Sequence, residues 1–516
     1  MAQRPFISLN RTCSSLCAST WNRRYASSLT TVMKTATSKN GTLLFLPMAK
    51  STKPAIAANS TKTNSLTMKK TILIALAAAT TMITCQPAAP VAPLAVYDGP
   101  KRPEWAASDN IYEVNVRQYT EEGTLKAFQS HLPRLAEMGV DILWFMPIQP
   151  IGVENRKGEL GSYYSISDYT AVNPNFGTLE DFQSIVHQAH ELGMKVILDW
   201  VANHTSFDHV WVAEHPEFYT KDVDGNFPIV AVDNDGNPTD WTDVADLNYD
   251  APGMREAMIS EMNWWVANVG IDGFRCDVAG FVPTEFWNTA ITTLRATNGP
   301  LFMLAEWEDP ALVEAGFNAV YGWEFHHIMN EIAQGHKNVS AVAEYAAKCD
   351  TLWPSETMKM YFNTNHDENS WNGTVQERMG DLGNAMYVLA SMIQRSFPLI
   401  YSGQEAGLNH RYPFFTKDTV GVEWSSPHAQ TDFFAQMLAL KHEHHALFNG
   451  ELGYDMNLDI DTATNSMMIV RSKEGEEDIV AAVFEFSELP NPFDIPQNLD
   501  LVIDVNGAQV WASKLD

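Results

Sequence analysis

The stretch Ile271–Phe281, IDGFRCDVAGF, places an arginine and an aspartate inside an apolar run. Residues 273–278 have the length and composition of a buried β-strand. Because residues two apart on a strand face the same side, Arg275 and Asp277 should point together, with Cys276 turned away into packing. Core strands do not usually carry charged pairs, so this segment predicts a strand that ends at a functional site. The plainer alternative is an ion pair that only closes the sheet.

Similar apolar runs recur along the chain and alternate with amphipathic stretches such as 179–192 and 253–268. The predicted strands are 111–116, 142–148, 195–201, 273–278, 301–306, 319–324, 359–364 and 397–402. Strands separated by helices predict an α/β fold, and eight of them predict a (β/α)8 TIM barrel. A doubly wound open sheet also alternates and is the alternative fold.

Two segments interrupt this alternation. Residues 203–250 are rich in Asp, Asn, Gly and Pro and are too long for a simple loop, so they predict a small inserted domain after the third strand. From residue 446 short β-like runs replace the helical pattern, which predicts a C-terminal antiparallel β domain over 446–516. The barrel is then assigned to residues 105–202 and 251–445.

The N-terminal part of the chain differs from the rest in charge. Residues 1–85 contain eleven Lys or Arg and no Asp or Glu, whereas the remainder holds 23 basic and all 63 acidic residues. Within it, MKKTILIALAAATTMITC (68–85) has the two lysines and apolar run of a secretory signal. Its last residue, Cys85, resembles the lipidated cysteine of a bacterial lipoprotein, although Thr84 is unusual before such a cysteine.

These features predict an exported protein that is lipid-anchored to a bacterial membrane, periplasmic or at the cell surface, through Cys85. An ordinary cleaved signal, which would give a secreted protein, or a short membrane anchor is the alternative. Residues 1–67 are Ser/Thr-rich and basic. We interpret them as an extension upstream of a start at Met68, or alternatively as a transit peptide. Residues 86–104 are a predicted linker.

The net charge of −29 argues against a nucleic-acid partner, because phosphate binding requires a basic surface. It suits a neutral ligand such as a sugar. The five cysteines show neither a pairing scheme nor metal-ligand spacing. We expect Cys276 and Cys349 to be small buried side chains. No oligomeric state is predicted.

Carboxylates at the predicted strand ends are the candidate catalytic groups, because TIM-barrel sites lie at the carboxyl ends of the strands. Arg275 should lower the pKa of Asp277 and keep it ionised, as a nucleophile at a sugar carbon requires. Glu306 follows apolar residues and precedes Trp307, so we expect it to stay protonated and to donate to a leaving oxygen. That division of roles is typical of retaining glycoside hydrolysis. A strand-end carboxylate bonded to backbone is the plainer alternative for Glu306.

Four short motifs, in this order, resemble the α-amylase family of glycoside hydrolases, family 13. They are DWVANH (199–204), GFRCD (273–277), AEW (305–307) and TNHD (364–367). VADLN (244–248) and the aromatic stretch SYYSISDYTAVNPNFGT (162–178) extend the resemblance, which covers about residues 105–450. It implies the barrel fold and activity on an α-glucan or malto-oligosaccharide.

The resemblance also implies residue roles. Asp277 matches the nucleophile, Glu306 the general acid/base and Asp367 a third carboxylate that holds sugar hydroxyls. The residues that match substrate-binding positions are Arg275 beside the nucleophile, the hydroxyl-binding His204 and His366, the stacking Tyr164 and the supporting Asp199.

The implied activity is that of a retaining α-glucan hydrolase that cleaves α-1,4 bonds of starch, maltodextrins or related oligosaccharides, with no cofactor needed for the chemistry. An α-glucosidase or a glucanotransferase of the same family is the alternative. A lapsed protein that only binds glucan should lack a catalytic carboxylate, and all three are present. Asn203 and Asp246 match calcium ligands of relatives, so a structural calcium is possible. The family often has Lys-His after the nucleophile, where this chain has Gly280 and Phe281.

Overall fold

The structure is a computed structural model and describes residues 97–418, 420–422, 424 and 429–515. The predicted upstream extension, the signal segment with Cys85 and residues 86–96 of the predicted linker lie outside the described residues.

The described part of the chain contains fifteen strands, and the eight that form the barrel follow the predicted runs closely. They are β1 (Ile111–Val114), β2 (Ile142–Phe145), β3 (Lys195–Trp200), β4 (His204–Thr205), β5 (Ala245–Asp246), β6 (Gly273–Cys276), β7 (Phe302–Ala305), β8 (Ala319–Tyr321), β9 (Met358–Tyr361), β10 (Ser396–Tyr401), β11 (Asp455–Asp461), β12 (Ser466–Ser472), β13 (Val480–Glu485), β14 (Leu499–Val505) and β15 (Ala508–Ser513).

Eight parallel strands close into a barrel in the order β1-β2-β3-β6-β7-β8-β9-β10, and β10 pairs back onto β1. Closure excludes the open-sheet alternative and confirms the predicted (β/α)8 barrel. In the register of the barrel, Asp199 on β3 lies beside Arg275 on β6. The neighbouring pair, β6 and β7, aligns Cys276 with Ala305. This register places the residues that follow β6 and β7 at the same end of the barrel.

Helices connect the barrel strands. They are α1 (Val116–Tyr119), α2 (Leu125–Gln129), α3 (Leu132–Met138), α4 (Leu179–Glu191), α5 (Val210–Glu214), α6 (Met254–Val269), α7 (Thr284–Asn298), α8 (Pro310–Glu314), α9 (Trp323–Ala333), α10 (Ser340–Leu352), α11 (Val375–Met379), α12 (Gly383–Met392) and α13 (Ala429–Glu443).

Helix α4 shows how the sequence sets these connections. It begins after Thr178, whose hydroxyl accepts the backbone N–H of Asp181 while the Asp181 carboxylate accepts the N–H of Thr178. It buries Phe182, Ile185, Val186 and Ala189, the spacing of one helical face. That face covers the barrel beside β3.

The barrel strands are buried on both faces, as parallel strands between a filled barrel and a helical layer must be. Ile111, Trp144, Ile197 and Leu304 belong to the apolar cluster inside the barrel. Cys276 belongs to the outer cluster, where strand alternation places it. Cys349 is buried as well, so both cysteines are buried as predicted, and both are free thiols.

The inserted segment and the C-terminal sheet complete the architecture. Strands β4 and β5 form an antiparallel pair that aligns His204 with Asp246. Strands β11–β15 form an antiparallel sheet in the order β11-β12-β13-β15-β14. The two D-G-N turns of the insert are Asx turns, in which the carboxylates of Asp222 and Asp233 accept backbone N–H groups two and four residues later.

In the described part of the chain, no helix is both long enough and apolar enough to span a bilayer.

Candidate active site

Arg275 is the centre of the site and is completely buried. Its Nη1 donates to Oδ1 of Asp199 and to Oδ1 of Asp277, both at 2.9 Å. Its Nη2 lies 2.9 Å from Oε1 of Glu306, and its Nε donates to the hydroxyl of Tyr321. One guanidinium therefore contacts carboxylates from the ends of β3, β6 and β7. Arg275 and Asp277 thus connect the ends of three strands, and they do more than form an ion pair that closes the sheet.

Glu306 has more polar surroundings than its sequence neighbours indicate. Its Oε2 accepts the backbone N–H of Val278 at 2.7 Å, and its Oε1 faces Arg275. The expectation that apolar neighbours surround this carboxyl is therefore wrong. The residues that precede Glu306 in the sequence are apolar because they form β7. The Glu306 carboxyl itself points toward the end of β6, where Arg275 and the N–H of Val278 meet it.

The expected low pKa of Asp277 is also wrong in direction. Burial, followed by the charge of Glu306, raises the pKa of Asp277 well above 3.8, and Arg275 opposes the shift without reversing it. Burial likewise raises the pKa of Asp199 to about 6 against the effect of Arg275. The Arg275 guanidinium does not offset the cost of burying the charges of Asp277 and Asp199, so these two carboxyls retain a proton more readily than isolated carboxyls do.

His366 links Asp367 to Glu113 on β1 and to Tyr164. Burial alone lowers the pKa of His366, but Asp367 and Glu113 outweigh burial and raise it to about 9. Its Nδ1 bonds Oε1 of Glu113, its Nε2 lies 2.8 Å from the hydroxyl of Tyr164, and Oδ2 of Asp367 lies 3.4 Å from that nitrogen. A protonated imidazole donates from both nitrogens, which leaves the Tyr164 hydroxyl proton for Oδ2 of Asp199 at 3.2 Å.

His204 differs from His366 because burial lowers its pKa to about 3, with a hydrogen bond to the Tyr164 backbone opposing the shift. His204 is therefore neutral at ordinary pH. Its Nδ1 lies 3.2 Å from the side-chain amide of Asn203, which fixes the orientation of the ring. A neutral imidazole can both donate to and accept from sugar hydroxyls.

The family model described as "Alpha amylase, catalytic domain" matches residues 97–446. The chain belongs to the α-amylase family. It is 32% identical over 256 residues to an α-1,4-glucan:maltose-1-phosphate maltosyltransferase of Arcanobacterium haemolyticum, a match that covers 45% of this chain and 36% of that protein. It is 22% identical over 404 residues to the α-amylase MalA of Haloarcula japonica, with 77% of this chain and 58% of that protein covered.

Solved structures of this family superpose on most of the chain. An α-amylase from Lactobacillus plantarum has a TM-score of 0.67 at 29% identity and covers 79% of this chain and 99% of its own. The maltogenic α-amylase AmyB of Thermotoga neapolitana has a TM-score of 0.65 at 28% identity and covers 73% and 86%. The chain spans about a third of the length of the maltosyltransferases it matches.

In this member of the α-amylase family, Asn203 and Asp246 lie near each other through the pairing of β4 and β5. The Asp246 carboxylate, however, accepts the N–H of Val232 at 3.0 Å and a hydrogen bond from Thr220. Among the described residues, no group of three or more His, Cys, Asp or Glu side chains is arranged to hold a metal ion. Calcium binding at Asn203 and Asp246 stays an untested prediction.

Three residues at the site were not predicted from the sequence: Glu113, Trp144 and Tyr321. Trp144 donates its indole N–H to Oδ2 of Asp199 at 3.1 Å, and Tyr321 accepts from Arg275. Each is a polar or aromatic residue inside a predicted barrel strand. A polar atom on the inward face of such a strand is the signal that points to this role.

Glu308, the next carboxylate after Glu306, is engaged elsewhere. Its Oε1 lies 2.6 Å from Nζ of the buried Lys359, and its Oε2 accepts the N–H of Glu324 at 2.8 Å. Glu306 and not Glu308 therefore shares the guanidinium with Asp277.

Proposed function

We propose that the chain is a retaining α-glucan hydrolase that cleaves α-1,4 bonds of starch, maltodextrins or related oligosaccharides. The observation that carries the proposal is the contact of Asp277 and Glu306 with one guanidinium, that of Arg275. Retention requires two carboxyl groups close enough to act on one anomeric carbon, about 5 to 5.5 Å apart. A shared guanidinium supports this spacing.

In the first step, a carboxylate oxygen of Asp277 bonds the anomeric carbon while the glycosidic C–O bond breaks. The leaving oxygen takes the proton of Glu306. In the second step, water gives a proton to Glu306 as its oxygen bonds the anomeric carbon, and the ester to Asp277 is released. Two inversions at the same carbon return the α configuration.

The remaining site residues bind the sugar. Asp367 and the protonated His366 form an ion pair able to hold two hydroxyls of the ring being cleaved. The neutral His204 supplies a further hydroxyl contact. Tyr164, fixed by Asp199 and His366, offers its ring face for stacking. Contacts of this kind favour the reaction to the extent that they strengthen in the distorted transition state.

The alternative within the same family is transfer of the glycosyl group to another sugar. The maltosyltransferases of similar sequence favour it, although identity is limited to about half of this chain. Against a phosphorylated donor stands the charge of the site: Arg275 and His366 are each already paired with carboxylates. We therefore place a neutral glucan at the site.

Export and lipid anchoring through Cys85 are also proposed, on the sequence of residues 68–85.

The test of function is product analysis on soluble starch, maltotriose and pullulan, with NMR of the first product formed. Hydrolysis of α-1,4 bonds to an initial α-anomer is expected. Longer oligosaccharides without net release of reducing ends would support a transferase instead. An initial β-anomer would mean that the reaction is inverting and that Asp277 is not the nucleophile.

A further inference from the structure

Asp367 lies immediately before a short segment with an unusual backbone. Residues Glu368–Asn372 form a single turn of π-helix, which is closed by the N–H of Gly373 donating to the carbonyl of Glu368 at 2.9 Å. Turns of π-helix are rare and are frequent at functional sites. This turn begins one residue after the third carboxylate of the site, so the contacts that fix the turn also fix the backbone of Asp367.

Glu368 fixes the turn through its side chain, which is buried. Its Oε1 accepts the side-chain amide of Asn372, at the end of the same turn, at 2.9 Å. Its Oε2 lies 3.1 Å from Nε2 of His326 on α9. The His326 ring is completely buried, and its Nδ1 donates to the carbonyl of Phe362 at 2.8 Å. Glu368 thereby connects the π-helical turn to helix α9.

Arg378 on α11 holds the same segment at both ends. Its Nη2 donates to the carbonyl of Asn363 at 2.6 Å, and its Nε donates to the carbonyl of Gly373 at 3.0 Å. Its Nη1 donates to Oδ1 of Asn330 on α9 at 2.9 Å and lies 3.8 Å from Oε2 of Glu368. Because the two carbonyls lie before and after the site residues of the segment, one guanidinium holds both of its ends.

His326, Glu368 and Arg378, which we call the clamp, determine geometry more directly than they determine stability. Buried ion pairs often add no net stability over apolar side chains of similar volume, although removing one partner is costly. Their hydrogen bonds do fix positions, because a planar guanidinium binds its partners in set directions. The carboxylate of Asp367 itself contacts His366, so the clamp acts on Asp367 through the backbone.

We propose that Glu368 and Arg378 are positioning residues that hold the Asp367 carboxylate at the sugar hydroxyls it binds in the transition state. This inference rests on the proposed function, in which Asp367 binds hydroxyls of the ring being cleaved. A displacement of about 1 Å can cost about a hundredfold in rate even when it originates away from the reacting atoms. Loss of the clamp should therefore lower kcat and leave KM near its wild-type value, because contacts made only in the transition state contribute to kcat.

The experiment compares Glu368→Gln, Arg378→Lys and Asn372→Ala with wild type in steady-state hydrolysis of an α-glycosyl fluoride, at a temperature where every variant is folded. For Glu368→Gln and Arg378→Lys, kcat should fall by about ten- to a hundredfold. Asn372 is exposed, so Asn372→Ala removes one hydrogen bond to Glu368 without emptying the core and should lower kcat by about two- to tenfold. If the first two variants do not fold, Asn372→Ala decides the test.

Arg295→Lys is the matched control. Arg295 on α7 is also a buried arginine that binds two carbonyls, those of Leu301 and Gly316. These carbonyls precede β7 and β8, at the end of the barrel opposite the site. Arg295→Lys should lower the unfolding temperature and leave kcat within about twofold of wild type, since it is remote from Asp367.

Each clamp variant is also made together with Asp367→Asn, in which the charged group to be positioned is absent. There the clamp substitutions should change kcat by less than about a further twofold, because residues that act through one another are not additive. Wild-type kcat for all three variants overturns the inference. An equal loss of kcat in the Asp367→Asn background, or in Arg295→Lys, overturns it too. A wild-type enzyme that does not consume the fluoride overturns the proposed function, and this inference with it.

Discussion

The backbone N–H of Val278 donates a 2.7 Å hydrogen bond to Oε2 of Glu306. Val278 directly follows Asp277 and adopts φ 35°, in the left-handed region that a β-branched residue rarely occupies. Backbone strain of this kind persists where the surrounding structure imposes it and is often found at active sites. The turn that follows the proposed nucleophile thus positions the proposed acid.

The first prediction concerns this turn. Val278→Gly keeps the N–H and removes the strain, about 1–3 kcal/mol, while it loses the burial of a valine side chain, about 1.5–3 kcal/mol. Activity should stay within about threefold of wild type because Glu306 keeps its contact. Val278→Pro removes the donor and cannot adopt φ 35°, so kcat should fall by at least about a hundredfold. Steady-state kinetics on maltodextrin measures both, and comparable activity of the two variants would show that the hydrogen bond has no role.

The second prediction separates nucleophile from acid. Asp277→Asn should abolish activity on starch and on an α-glycosyl fluoride, because both require the covalent step. Glu306→Gln should abolish activity on starch, yet release of fluoride in the first step should survive far better because fluoride needs little protonation. Burst kinetics of fluoride release is the measurement. Glu308→Gln is the control and should leave the ratio between the two substrates unchanged, since Glu308 is paired with Lys359. Equal losses on both substrates for Glu306→Gln would remove the acid role from Glu306.

Much of this site follows from local sequence, and the reason is strand alternation. The apolar length of the β6 segment and the two-residue spacing of Arg275 and Asp277 place both side chains at the strand end and Cys276 outside. The environment of Glu306 cannot be predicted from local sequence, because Arg275 and Val278 contact it only when β6 and β7 pair. The same limit explains the wrong direction for the pKa of Asp277: burial depends on the closed barrel, whereas the adjacent arginine is visible in the sequence.

The C-terminal sheet shows a second limit. Strands β12, β13 and β14 lie in the segments SMMIVRS, DIVAAVFEF and LDLVIDV, which are among the short β-like runs that predict the C-terminal β domain. Strand β11, DMNLDID, lies at the edge of the sheet and is largely exposed. Because an exposed edge strand needs few apolar residues, its sequence does not show the apolar pattern from which a strand is predicted. It forms because β12 offers a partner along its whole length.

The third prediction concerns stability. Burial raises the pKa of Glu368, but His326 at 3.1 Å and Arg378 at 3.8 Å outweigh it and lower the pKa to about 2. A depressed folded-state pKa gives stability that is present above the unfolded value of 4.5 and is lost as pH falls toward 2. Glu368→Gln should therefore cost roughly 3 kcal/mol at pH 7. Urea unfolding at pH 7 and at pH 3 measures the free energy of unfolding. The difference between Glu368→Gln and wild type should be smaller at pH 3 than at pH 7.

Glu324→Gln is the comparison for that measurement, because Glu324 forms a more exposed ion pair with Lys348. Its cost should stay below about 1 kcal/mol. A Glu368→Gln variant with the same small cost would show that the buried contacts contribute no net stability.

The fourth prediction concerns location. Metabolic labelling of the full chain with a palmitate analogue should mark the protein, and Cys85→Ser should abolish the label, because the Cys85 thiol is the predicted attachment point of the anchor. In cell fractionation, the Cys85→Ser variant should then be found in the soluble fraction and the wild-type protein in the membrane fraction. Labelling that persists in Cys85→Ser would assign the anchor to another residue, and an unlabelled wild-type protein released as soluble would favour an ordinary signal peptide.

The last prediction is a pH profile that tests the electrostatics of the cluster. Catalysis requires Asp277 ionised, and burial together with Glu306 raises the pKa of Asp277 above 3.8. The acid limb of kcat/KM should therefore lie above 3.8, not below it as Arg275 alone would imply. Glu306→Gln removes the negative charge that Glu306 carries whenever it is ionised, and it is this charge that raises the pKa of Asp277. In the variant the pKa of Asp277 should therefore fall and the acid limb should move to lower pH. The profile is measured as fluoride release from an α-glycosyl fluoride, for which the acid is dispensable. An acid limb that stays in place, or moves to higher pH, in Glu306→Gln would show that the charge of Glu306 does not raise the pKa of Asp277.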